Sequence, residues 1–129
     1  MTKIGLVEAF RVYGATLVNH QYAVSAELSG AIVMSLWKHK FHKPGMLYVD
    51  RLSRWEGNGN KLFRVHLQRA ASEKLPIYLI VSDSADPAAI DRGDDASGTP
   101  KTVTVRPDLV GHVEKFTGDE FQIRFVKRS

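Results

Sequence analysis

The chain has 129 residues and no cysteine, enough length for one domain with a single core, and a composition that excludes disulfide frameworks, thiol catalysis, iron–sulfur clusters and cysteine-based zinc sites. Its 18 Lys/Arg against 14 Asp/Glu give a formal charge of +4. That charge is unevenly placed: residues 1–81 hold 11 Lys/Arg against 5 Asp/Glu, and residues 82–129 hold 7 against 9, so a polyanion is expected to meet the first two-thirds of the chain.

Met1-Thr2-Lys3 opens no apolar signal run and the longest apolar runs are strand-length, which leads to the expectation of a soluble cytoplasmic protein with no membrane contact. Residues 2–13 place Leu6, Phe10 and Tyr13 on one stripe at helical spacing, with Thr2 as a cap and Gly14 as a stop. Gly5 and the β-branched residues of that stretch leave an edge strand open as the alternative.

A hairpin follows, 22–28 and 31–37 about a Ser29-Gly30 turn. Alternation assigns Tyr22, Val24, Ala26 and Leu28 to the core face of one strand and Ile32, Met34 and Leu36 to that of its partner. Val33, Ser35, Trp37 and His39 then share the opposite face, where the Trp37 indole is a platform for a flat ligand. Lys38-His39-Lys40-Phe41-His42-Lys43 is the densest basic segment of the chain, closed by a Pro44-Gly45 turn, and Met46-Leu47-Tyr48-Val49 reads as another strand.

The stretch 55–84 is the unit around which the rest is arranged. A Gly/Asn turn at 57–60 ends in Asn60, expected as a helix N-cap; the helix runs to about residue 74, and Pro76 stops it. Phe63, Leu67, Ala70 and Ala71 fall on one face and Lys61, Arg64 and Gln68 on another. Ile77-Tyr78-Leu79-Ile80-Val81 has the continuous apolar character of a strand covered on both sides, and is expected at the centre of the sheet.

Residues 83–100 carry five aspartates (Asp83, Asp86, Asp91, Asp94, Asp95) with Gly and Pro, which predicts a mobile acidic loop with one helical turn near Pro87. Lys101–Val105 reads as a strand stopped at Pro107. A second hairpin, 109–116 and 121–126, closes the chain through Thr117-Gly118-Asp119.

His39 and His42 have a His-x-x-His spacing, but the neighbouring lysines repel a divalent cation and no carboxylate completes the set, so no metal or cofactor is expected. The acidic loop lacks the ligand order of an EF-hand. There is no Gly-x-Ser-x-Gly elbow, no Walker loop and no dinucleotide fingerprint. No catalytic residue is assigned.

The order of features, a strand with Tyr-Ala-Val-Ser-Ala, a strand ending Leu-Trp-Lys-His-Lys-Phe, then Trp-x-Gly-x-Gly-Asn opening a helix and a strand, resembles a group of small uncharacterised bacterial proteins. It is also similar to the N-terminal recognition domain of McrA-type HNH restriction endonucleases, which bind methylated cytosine. That resemblance implies a stand-alone reader of DNA, with cleavage absent or supplied by a partner.

The resulting expectation is a single α+β domain: a mostly antiparallel sheet of five to seven strands packed on one main helix at about 60–74, with two hairpins. It binds nucleic acid, DNA favoured and a modified base included. Lys38, Lys40, Lys43, Arg51, Arg54, Lys61 and Arg64 meet phosphates beside Asn60, and Trp37 or Trp55 meets a base. Two alternatives stand beside it. One is a protein-interaction module such as a phage or defence-system inhibitor; the other is a small hydrolase or nuclease using dispersed residues such as His39 and Asp83.

Overall fold

The computed structural model describes residues 5–16, 24–42, 46–93 and 101–128. Expectations resting on Thr2, Tyr22, Lys43, the Pro44-Gly45 turn, Asp94 and Asp95 lie outside them.

The fold is α+β, and among the described residues it has a seven-stranded sheet. The strands are β1 (Ser25–Leu28), β2 (Ala31–Trp37), β3 (Phe41–His42), β4 (Leu47–Arg51), β5 (Ile77–Ser84), β6 (Lys101–Phe116) and β7 (Glu120–Lys127), in the spatial order β1-β2-β5-β6-β7-β4-β3. The helices are α1 (Leu6–Val12), α2 (Asn58–Glu73) and α3 (Pro87–Asp91). Short 3-10 turns cover Lys38–Lys40 and Leu52–Arg54.

The expected mostly antiparallel sheet is corrected to a mixed one, because β2 and β5 run parallel, with Ile32 beside Ile77 and Leu36 beside Val81. The cause is connectivity. The chain leaves β2, builds β3 and β4 at the far edge and crosses back through α2 before laying β5 beside β2, and a crossover of that length is what a parallel pair needs. Both expected hairpins are present, β1 with β2 and β6 with β7. Gly30 at φ +78° and Gly118 at φ +99° supply their turns, a conformation that costs other residues free energy.

The sheet is covered on both faces, which explains the apolar runs. On one face α2 packs Phe63, Leu67 and Ala70 against Ile32, Met34, Leu36, Ile77, Leu79, Leu109, Ile123 and Phe125. On the other, α1 and the segment after it bring Ala9, Phe10 and Ala15 against Ala26, Val33 and Ile80. Leu67 is fully buried, which is worth roughly 2–3 kcal/mol for a side chain of its size. β5 contributes to both cores, as its five apolar residues predicted, although β6 occupies the middle of the strand order.

Residues 101–116 form one long strand where the sequence suggested two. β6 pairs with β5 through Lys101–Arg106 and with β7 through Leu109–Phe116, and the register shifts between Leu79, opposite Arg106, and Ile77, opposite Gly111. Pro107 sits inside that irregularity, where its missing N–H removes no ladder bond. Asp83 and Ser84 extend β5 instead of opening the acidic loop, and α3 follows with the Asp86 side chain accepting from the Ala89 N–H at 3.2 Å and Pro87 at its start.

Candidate nucleic-acid interface

Helix α2 starts two residues earlier than predicted. Gly57 is its N-cap, at φ +115° and with no side-chain hydrogen bond to the first turn. Asn60 is therefore not the cap. It is buried within the first turn, and its Nδ2 donates to the carbonyls of Leu52 at 2.8 Å and Trp55 at 3.0 Å. The amide ties the 52–57 segment to α2, so its role is internal.

Arg54, expected at a phosphate, is also an internal bracket. Its side chain is 9% exposed and that of Asp50 is 3% exposed. Nε donates to Asp50 Oδ1 at 2.7 Å, Nη2 to Oδ2 at 2.8 Å, and Nη1 to the Ile90 carbonyl at 2.8 Å. Those bonds engage all three guanidinium nitrogens and use three of the five N–H donors on a side chain that is itself 9% exposed. Burial, reinforced by the Asp50 charge, raises the hydroxyl of Tyr48 well above the ordinary tyrosine range.

Two carboxylates from the acidic side of the chain lie beside Lys38, His39 and Lys40 of the basic segment. Lys38 lies 3.6 Å from Asp83; Lys40 Nζ and His39 Nε2 each lie 2.9 Å from Asp91 Oδ1. Hydrogen bonds from Lys40 and His39 hold the Asp91 carboxyl below its usual range. His39 and Asp83, the residues of the hydrolase alternative, thus have separate partners. Among the described residues no three His, Asp or Glu side chains gather as metal ligands.

The indoles are half-buried against the α2-side core. Trp55 meets Phe63 at 6.1 Å between ring centroids, tilted by 57°, and the Arg54 guanidinium lies 6.0 Å from its ring. Trp37 has the Lys101 ammonium 5.9 Å from its ring. Phe41 packs between Tyr48 and Phe125 at 5.0 and 5.8 Å.

Among the described residues of the expected set, Arg51, Lys61 and Arg64 are exposed, as is Lys38 beside Asp83. Lys61 and Arg64 lie one turn apart on the outer face of α2, and Arg51 ends β4. Arg51 and Arg64 both act electrostatically on Asp119 in the β6–β7 turn, and Arg64 Nη1 lies 3.4 Å from the Gly118 carbonyl. Asp119 itself accepts from the Ser53 N–H at 2.7 Å and the Ser53 hydroxyl at 2.9 Å; these bonds first, then the two arginines, keep its carboxyl below the usual range. Arg51 also lines an open groove of about 650 Å³ with His39, Lys40, His42, Asp50 and Glu120.

One polar cluster was missed in the sequence. Ser25 Oγ lies 2.6 Å from His66 Nδ1, and Glu27 lies 3.8 Å from His66 Nε2. Ser25 is fully buried and His66 is 5% exposed, so the pair ties β1 to α2 and faces no solvent. The signal for it is the position of His66 on the apolar stripe of α2, one residue before Leu67.

No family model matches the chain, and no curated protein or solved structure was found to be similar to it. Among the described residues no helix is long and apolar enough to cross a membrane.

Proposed function

We propose that the chain is a nucleic-acid-binding module, DNA favoured, with no catalytic step of its own. The observation that carries this reading is the exposed arc of Arg51, Lys61 and Arg64 around the first turns of α2, a helix end without a side-chain cap. Unsatisfied N–H groups at a helix start and flanking cations act in the same direction on a phosphate. Two of these cations have Asp119 as their acidic neighbour, and its charge is already engaged by Ser53.

Lys40 and Arg54 are left out of this surface, since each is held by a carboxylate of the chain itself, and Lys38, itself exposed, has Asp83 at 3.6 Å. Selectivity for a modified base, the finer element of the expectation, has no support from the indole positions. A titration of labelled duplex binding against salt tests the reading. Three phosphate contacts give a log–log slope of about −3, or a loss of roughly 40-fold between about 50 and about 200 mM salt. Affinity that stays constant over that range overturns it.

A further inference from the structure

Resting on the nucleic-acid reading above, we infer that the phosphate track of the ligand continues past Arg51 into the groove beside it, where His39 and His42 add contacts when they are protonated. The side chains that line this groove carry the inference, and Arg51 belongs to both surfaces.

His42 pairs with Leu47 across β3 and β4. Paired residues share a face and alternate residues along a strand share a face, so His42, Leu47, Val49 and Arg51 stand on one side of the sheet. Tyr48, between them, packs on the α2 side. Four residues of strand set the two ends of the groove, at Arg51 and His42, about 13 Å apart. That length spans more than one phosphate, at about 3.4 Å of helix axis per nucleotide of a strand.

The 3-10 turn at Lys38–Lys40 adds His39 and Lys40 to the wall, and α3 adds Asp91. Hydrogen bonds from Lys40 and then His39 hold the Asp91 carboxyl below its usual range. An ionised carboxylate only accepts, so the His39 Nε2 that lies 2.9 Å from it carries the hydrogen. A second proton therefore enters at Nδ1, which turns from acceptor to donor. The carboxylates of the groove each have a cation of the chain: Asp91 has Lys40, Asp50 has Arg54, and Glu120, opposite Arg51 on β7, has Lys115 at 3.4 Å. Arg124, opposite Leu47, lies 2.7 Å from Glu114. Charge that appears on the two imidazoles thus adds to that of Arg51 and attracts phosphate.

The experiment measures binding of a labelled duplex by the full chain at about pH 8 and about pH 6, on either side of the ordinary histidine range, over a series of salt concentrations. In acid, affinity is expected to rise roughly tenfold and the log–log salt slope to steepen by about 1 to 2. His39→Gln/His42→Gln binds as the parent does at the higher pH and loses the rise. His112→Gln, exposed on β6 and outside the groove lining, keeps it. Unfolding driven by protonation of the buried His66 lowers affinity in acid, so it has the opposite sign. Equal parent affinity at the two pH values, or a rise that the double variant retains, overturns this inference while leaving the nucleic-acid reading intact. If no salt-sensitive binding is seen at either pH, the nucleic-acid reading falls and this inference with it.

Discussion

Arg54 and Asp50 face each other one helical turn apart in sequence and form a two-pronged ion pair at 2.7 and 2.8 Å beneath the surface. The same guanidinium reaches the last turn of α3 through the Ile90 carbonyl. One side chain therefore joins the end of β4, the 3-10 turn that follows it and α3. Asn60 joins that turn to α2. Arg51 follows Asp50 and Lys61 follows Asn60 in sequence, so the backbone beneath both exposed cations is tied into this network.

Replacing Arg54 by methionine leaves the Asp50 carboxylate buried without a counter-charge. The expected loss is about 3–5 kcal/mol of stability, and an Asp50→Leu/Arg54→Met double variant recovers most of it, because the penalty belongs to the unpaired charge. Urea denaturation of the two variants measures both. A single variant within about 1 kcal/mol of the parent contradicts the assignment of the pair as buried.

His66 sets an acid limit on stability. Burial lowers its basicity, the Arg69 charge acts in the same sense and Glu27 opposes them. A histidine whose folded pKa is depressed contributes stability that is complete above the unfolded value of about 6.5 and is lost as pH falls toward the folded value. The urea midpoint is therefore flat above about pH 7 and declines below about 6.5, and His66→Gln flattens that decline. Equal slopes in the parent and the variant exclude His66 as the titrating group.

Much of the fold was legible because local periodicity and burial agreed. Phe63, Leu67 and Ala70 define the inner face of α2, the apolar run 77–81 marks a strand with cores on both sides, and Gly30 and Gly118 mark the hairpin turns. The parallel pairing of β2 with β5 was not legible, since it depends on where the chain returns after α2 and not on any local pattern. The carboxylates beside three of the expected cations were not legible for a related reason. Charge counted along the chain places Lys38, Lys40 and Arg54 in a basic region, but the sheet brings Asp83, Asp91 and Asp50 to them. Asn60 suits an N-cap by residue type, but the helix begins earlier with Gly57 at the cap, and the Asn60 amide instead donates to the Leu52 and Trp55 carbonyls ahead of the helix.

Gly93 is the position where α3 leaves the braced segment. It has φ +81°, and a Cβ there would sit 2.1 Å from the Arg54 carbonyl oxygen. Gly93→Ala combines a disfavoured backbone angle with a clash against main chain, so a loss of about 2 kcal/mol or more is expected. Gly57→Ala has the strained angle without the clash, since nothing lies within 4 Å of its Cβ position. At φ +115° and ψ −177° Gly57 occupies a region open almost to glycine alone, so its variant is expected to lose about 1–3 kcal/mol from strain. Thermal melts of both variants check this; a Gly93 variant as stable as the parent contradicts the close packing of α3 on Arg54.

The central claim concerns Lys61 and Arg64, and reversing both charges tests it most directly. Both side chains are exposed, so Lys61→Glu/Arg64→Glu should leave the melting midpoint close to that of the parent. Duplex affinity should fall at every sequence tested, and the slope of log affinity against log salt should become shallower by about 2. A folded double variant that binds duplex with the parent's affinity and salt slope would contradict the account.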